Sequence, residues 1–174
     1  MSYIVVDVEA DSPSPANGSM VCFGAVLVKD VNTYFYGQTK PITDTWNPEA
    51  LKISGFTREE HEGFNDPFVV MTEFDKWIKR VSEGNPIFIT DNPAFDWQWI
   101  NYYFHKYLKK NPFVYSARRI GDLYCGYYNN PYYIWKKHRD NKKFPHNHNP
   151  ISDACGNATA LHYLISQGFN LKLK

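Results

Sequence analysis

Disulfide chemistry has little to work with in this chain. Three cysteines, Cys22, Cys125 and Cys155, are scattered over 174 residues with no C-x-x-C pair among them. An odd, dispersed set excludes a disulfide framework and a cysteine zinc site. Long apolar runs are missing too. Ile4-Val5-Val6 is too short for a signal-peptide core and lacks a basic flank, and nothing approaches the roughly 20 apolar residues of a membrane helix. These absences lead to the expectation of reduced thiols and a cytoplasmic location. Net charge is nearly absent at +1, yet residues 1–100 carry 7 Lys/Arg against 15 Asp/Glu, whereas residues 101–174 carry 12 against 3. Metal-binding carboxylates in one half and a phosphate-gripping surface in the other would produce this split; so would two solvated faces that attract each other.

What the chain does have is aromatic side chains, with thirteen Tyr and five Trp. Such rings fill cores and also stack on bases. The length suits one domain, residues 1–174, able to bury a core without cross-links.

Apolar, β-branched residues over 2–8 predict a buried strand. Further strands are expected over 20–28 and 33–38, so the sheet starts as an antiparallel meander. Asn47-Pro48-Glu49 opens a short helix through Ile53. Val70, Phe74, Trp77, Ile78 and Val81 have the spacing of a helix over 68–81, which Gly84 ends. Residues 86–90 read as a strand, Asn92-Pro93 as the start of a helix to Leu108, and 115–124 as a further strand or strand plus turn. The polar, basic stretch 129–149 reads as a long loop or interrupted helix. Asn149-Pro150 opens the last helix, to Ser166. The fold class expected is α/β with a mixed central sheet flanked by helices.

Four acids stand out against this frame. Asp7 and Glu9 lie two apart at the end of the first strand, so both carboxylates face one side; converging, buried acids are costly unless a cation joins them. Asp96 and Asp153 each fall in the first turn of a helix, where the helix dipole favours an ionised carboxylate. His148, five residues before Asp153, is a loop imidazole able to take a proton near neutral pH. Each signal alone also fits ordinary surface residues.

Their order, D-x-E, then an Asp after strand–Asn–turn, then H-x-x-x-x-D before a small-residue helix, resembles the DEDDh exonucleases, the DnaQ-like branch of the ribonuclease H superfamily. Ile53-Ser54-Gly55-Phe56-Thr57 is similar to that family's I-H-G-I-T stretch, Asn92 to Asp96 to its H-N-A-x-F-D segment, Gly121-Asp122-Leu123 to its D-T-L, and His148 to Ala154 to its H-x-A-x-x-D-A. Asn149 stands where the tyrosine variant of the family would have Tyr. Ala10, Asp91, Ser54 and Asn149-Pro150 depart from the pattern without removing an acid or the histidine.

The resemblance implies a ribonuclease H-like fold and a metal-dependent 3′–5′ exonuclease releasing nucleoside 5′-monophosphates from single-stranded RNA or DNA, RNA being the favoured substrate. It implies two Mg²⁺ or Mn²⁺ ions held by Asp7, Glu9, Asp96 and Asp153, with Asp7 bridging, and His148 as general base. Phosphate contacts would fall to Arg118, Arg119, Lys136, Lys137, Arg139, Lys142 and Lys143. Phe56, Trp46 or Tyr124 would wedge the terminal base, Phe56 first among them. Family analogy also admits a homodimer. A catalytically silent nucleic-acid-binding module on the same fold and an endonuclease of the ribonuclease H type are the competing readings.

Overall fold

The computed structural model describes residues 1–171. Its sheet has five strands: β1 (Ser2–Ala10), β2 (Met20–Leu27), β3 (Asp30–Gln38), β4 (Pro86–Thr90) and β5 (Ala117–Arg119), in the order β3-β2-β1-β4-β5. The loop over 11–19 and a two-residue turn make β1–β2 and β2–β3 antiparallel, while β4 and β5 return parallel to β1. The mixed sheet expected from the sequence is therefore present. Helices α1 (Pro48–Ile53), α2 (Arg58–Glu62), α3 (Pro67–Val81), α4 (Pro93–Leu108), α5 (Ile120–Tyr128) and α6 (Pro150–Ser166) complete the fold, with a 3-10 turn at Trp135–His138.

The period-two alternation of β1 separates two cores. Ile4, Val6 and Val8 pack with Phe74 and Ile78 of α3 and Trp99 and Tyr103 of α4. Tyr3 and Val5 pack on the opposite face with Ile120 and Tyr124 of α5 and Ala158 and Leu161 of α6. Asp7 and Glu9 continue this second row, so they face α6. Where β2 passes beneath the start of α6, only glycine fits: a Cβ on Gly24 would lie 2.5 Å from the Pro150 carbonyl. Gly24 is the cross-strand partner of Asp7, so this close approach brings the first turn of α6 over the two acids.

Some expectations need correction. Residues 115–124 form only a three-residue strand, followed by helix α5. Tyr124 within α5 is fully buried and its hydroxyl donates to the Ala160 carbonyl, so it cannot stack on a base. Helix α2 was not expected, although Thr57 and Glu60 form a capping box visible as T-x-x-E. Helix α3 ends at Val81 as expected, but Ser82 is its C-cap and Gly84, with a left-handed φ of +85°, lies in the turn beyond. Asn92 stands at the start of α4 but makes no side-chain cap bond. No helix among the described residues is long and apolar enough to cross a membrane.

Candidate active site

The carboxyl ends of β1 and β4, parallel neighbours in the sheet, open into a cleft of about 550 Å³, the usual place for a ligand in such sheets. Asp7, Glu9, Asp96, His146, His148 and Asp153 all line it. One ligand atom each from Asp7, Glu9 and Asp153 lies within 4.8 Å of the other two. Helix α6 presents Asp153 because Asn149 caps it, accepting from the N–H groups of Ile151 and Ser152 at 3.1 Å.

Asp96 is held differently. One of its carboxylate oxygens accepts from Val8 N–H at 3.0 Å and the other from the Thr90 hydroxyl. These bonds tie β1, β4 and α4 together at the base of the cleft. Each oxygen keeps a second lone pair. Asp96 thus shares the cleft while lying outside the three-acid cluster.

Two histidines come from the loop before α6. The His148 backbone N–H donates to Asp153 at 3.0 Å, and its Nδ1 lies 3.3 Å from Glu9 Oε1. Its φ of +59° is a left-handed conformation uncommon outside glycine, and it turns the ring back over Glu9. His146 places Nδ1 2.6 Å from Asp153 Oδ1. Nothing in the run H-N-H distinguishes the two rings in advance; the path of the loop brings both in.

Arg139 lies elsewhere than the phosphate-gripping surface expected of it. Its side chain is 3% exposed and its guanidinium donates to Asp153 Oδ1 at 2.9 Å. Gly156 makes this possible, since a Cβ there would sit 2.6 Å from the guanidinium. A countercharge thus stands behind the acids, on the side away from solvent.

Of the remaining candidates, Trp46 and Phe56 line a separate pocket with Leu51, Lys52 and Arg58. There the Arg58 guanidinium lies 5.4 Å from the centre of the Trp46 ring. The apolar side chains that do line the acidic cleft include Phe95 and Ile53. Arg119 lines an adjoining groove, and Arg118 is exposed beside it without lining either.

The electrostatics fit a divalent cation. Asp7 is raised well above the ordinary carboxylate range, first by burial and then by the charges of Asp96, Asp153 and Glu9, with Arg139 opposing. Burial and then Asp153 push Glu9 up to about 7. Burial pushes Asp96 up to about 7 as well, against the hydrogen bonds it accepts. Hard oxygen donors of this kind suit Mg²⁺ or Mn²⁺.

A pH dependence follows. Glu9 and Asp96 bind their protons more tightly in the folded chain than in the unfolded one. The metal-free fold therefore loses stability as pH rises from near their ordinary values toward about 7, and does not regain it above. A cation that binds only the ionised site reverses the loss. Melting in EDTA should give a lower Tm at pH 8 than at pH 5.5, by on the order of 5 °C. Millimolar Mn²⁺ should raise Tm more at pH 8 than at pH 5.5. An EDTA Tm that climbs over this range would contradict the assigned shifts.

The chain has relatives among known proteins. No family model matches the chain. The 3′–5′ DNA exonuclease Cap18 of Escherichia coli is 36% identical over 127 residues, 71% of this chain and 68% of that protein. Among solved structures, the nuclease domain of 3′hExo, a DEDDh family member bound to rAMP, superposes with a TM-score of 0.77 at 16% identity, covering 99% of this chain and 96% of that one. Exonuclease I of E. coli, in a complex with single-stranded DNA, gives 0.70 at 15% identity over 98% of this chain and 41% of that one. At such identities these structures establish the fold.

Proposed function

The chain belongs to the DEDDh 3′–5′ exonucleases of the ribonuclease H-like superfamily and is a hydrolytic exonuclease acting on nucleic acid; on that premise we propose that it removes nucleoside 5′-monophosphates from single-stranded DNA. The observation that carries this reading is the convergence of Asp7, Glu9 and Asp153 within 4.8 Å, with His148 against Glu9.

In this reading Asp7, Glu9, Asp96 and Asp153 hold two Mg²⁺ or Mn²⁺ ions. When bound, these neutralise the acids and the charge that develops on the attacking and leaving oxygens. Asp96, fixed by Val8 and Thr90, contributes through its free lone pairs. His148, exposed and anchored through its backbone to Asp153, takes the proton from the attacking water. The new P–O bond forms as the bond to the 3′ oxygen breaks, which frees the terminal nucleotide as its 5′-monophosphate. Phe95 and Ile53 offer the terminal base an apolar wall, the role first given to Phe56, Trp46 and Tyr124.

DNA replaces RNA as the leading substrate because a relative at 36% identity is a DNA exonuclease. RNA is the second reading, favoured by solved structures of similar fold that hold rAMP or recognise the histone mRNA stem-loop. A cytoplasmic location belongs to the same proposal, supported by three free cysteines.

The test uses matched 5′-labelled 12-nucleotide DNA and RNA strands with Mg²⁺, Mn²⁺ or EDTA. Stepwise shortening of the DNA from its 3′ end, abolished by EDTA, is expected; cleavage of a circular single strand would overturn the exonuclease reading. His148→Ala should lower kcat by about a hundredfold or more, and His146→Ala by less. Equal losses would remove His148 from its assigned role.

A further inference from the structure

Beside the catalytic cleft runs a second groove, of about 530 Å³, whose walls include Arg119, Ile134, Trp135 and Lys136. It shares Asp91 and Asn92 with the cleft, so one wall is continuous between the two. From this continuity and from its charge we infer that the groove holds the nucleotides immediately upstream of the one being removed, with Arg119 and Lys136 on backbone phosphates and Ile134 under a base.

Both cations are fixed in place by the same residue. Lys136 Nζ lies 2.6 Å from an Asp91 carboxylate oxygen, and Arg119 Nε donates to the Asp91 carbonyl at 3.2 Å. Arg119 also pairs with Asp122 at 3.2 Å. About half of each side chain is nevertheless exposed, 50% for Lys136 and 51% for Arg119. An ammonium has three donors and a guanidinium five, so donors remain for phosphate oxygens. Asp91 thus holds in position two cations that would otherwise lose side-chain entropy on binding. Ile134 is 71% exposed and lines the same groove, next in sequence to the buried Trp135. An exposed apolar residue flanked by fixed cations, next to a site that consumes polyanions, matches the stacking-plus-charge design of single-strand binding grooves.

The inference rests on the exonuclease reading, and the experiment separates their failures. Two variants are made: the double variant Arg119→Gln/Lys136→Gln, and Ile134→Asp, which puts a negative charge into the groove without breaking an ion pair. Hydrolysis of a 12-nucleotide strand and of thymidine 5′-monophosphate p-nitrophenyl ester, which has no upstream nucleotide, is measured, along with binding of the 12-mer in EDTA against salt concentration. Each variant should raise KM for the 12-mer about tenfold while changing that for the ester much less. The double variant should also flatten the plot of log K against log[salt] by roughly 1.4, two single-strand phosphate contacts. If wild type removes no 3′ nucleotides, the functional reading falls. If wild type is active but Ile134→Asp handles the 12-mer as wild type does, or if both substrates suffer equally, the groove assignment is overturned. Should the double variant fail to fold, Ile134→Asp decides alone, since its side chain faces solvent.

Discussion

Asp7→Asn should abolish nuclease activity and leave the protein at least as stable as wild type. The loss in kcat is expected to reach about a thousandfold or more, roughly 4 kcal/mol of barrier, because the substitution removes a charged oxygen from the centre of the proposed cation site. The effect on stability has the opposite sign. Asp7 is raised by burial and by three neighbouring carboxylates, so its carboxylate form opposes folding once pH rises above the ordinary carboxylate range in EDTA. A neutral amide of nearly the same shape relieves that repulsion, and Tm should rise by several degrees. Mn²⁺ should then stabilise the variant less than it stabilises wild type. Kinetics on the labelled 12-mer and melting curves with and without metal check both parts. A variant that keeps a tenth of its activity would mean that the reaction occurs elsewhere.

Arg139→Leu should act on stability first. Asp153 is 2% exposed at its side chain, and Arg139 is its buried cationic partner, with the exposed His146 ring on the same oxygen. Removing one member of a buried pair leaves the other charge uncompensated, at a cost of about 3–5 kcal/mol, or on the order of 10 °C in Tm for a chain of this size. Leucine leaves Gly156 facing a partly filled space, which adds to the loss. Divalent metal should recover part of the deficit, because a cation at the cleft compensates Asp153 from its other side. If Arg139 were instead a phosphate contact on the surface, urea and thermal unfolding would hardly change and only substrate affinity would fall. Unchanged unfolding would therefore sink the buried-countercharge account.

The expected elements include those whose signals are local. The β-branched run of β1, the Asn-Pro starts of α1, α4 and α6, and the apolar spacing of α3 can each be read within a window of some ten residues. Residues 115–124 were harder. Three residues pair with β4 before the chain turns into α5, and a segment rich in both aromatic and small residues carries no clear period. Basic residues were harder still. Arg139 and Lys136 lie three apart in one charged run, yet Arg139 is buried against Asp153 and Lys136 stands half-exposed in the groove. Composition gives their charge and says nothing of which way each one points.

The sequence by itself determined the chemistry available: four acids and a histidine in a fixed order, and a strand whose alternation puts Asp7 and Glu9 on one face. Only the tertiary structure decided which of these meet. Asp153 reaches the pair because Gly24 lets α6 sit against β2, and Asp96 stands at the base of the cleft because Val8 and Thr90 each hold one of its oxygens. Alternation and capping are settled by near neighbours along the chain. A distance between carboxylates more than 140 positions apart depends on how whole layers pack, and no short stretch of residues contains it.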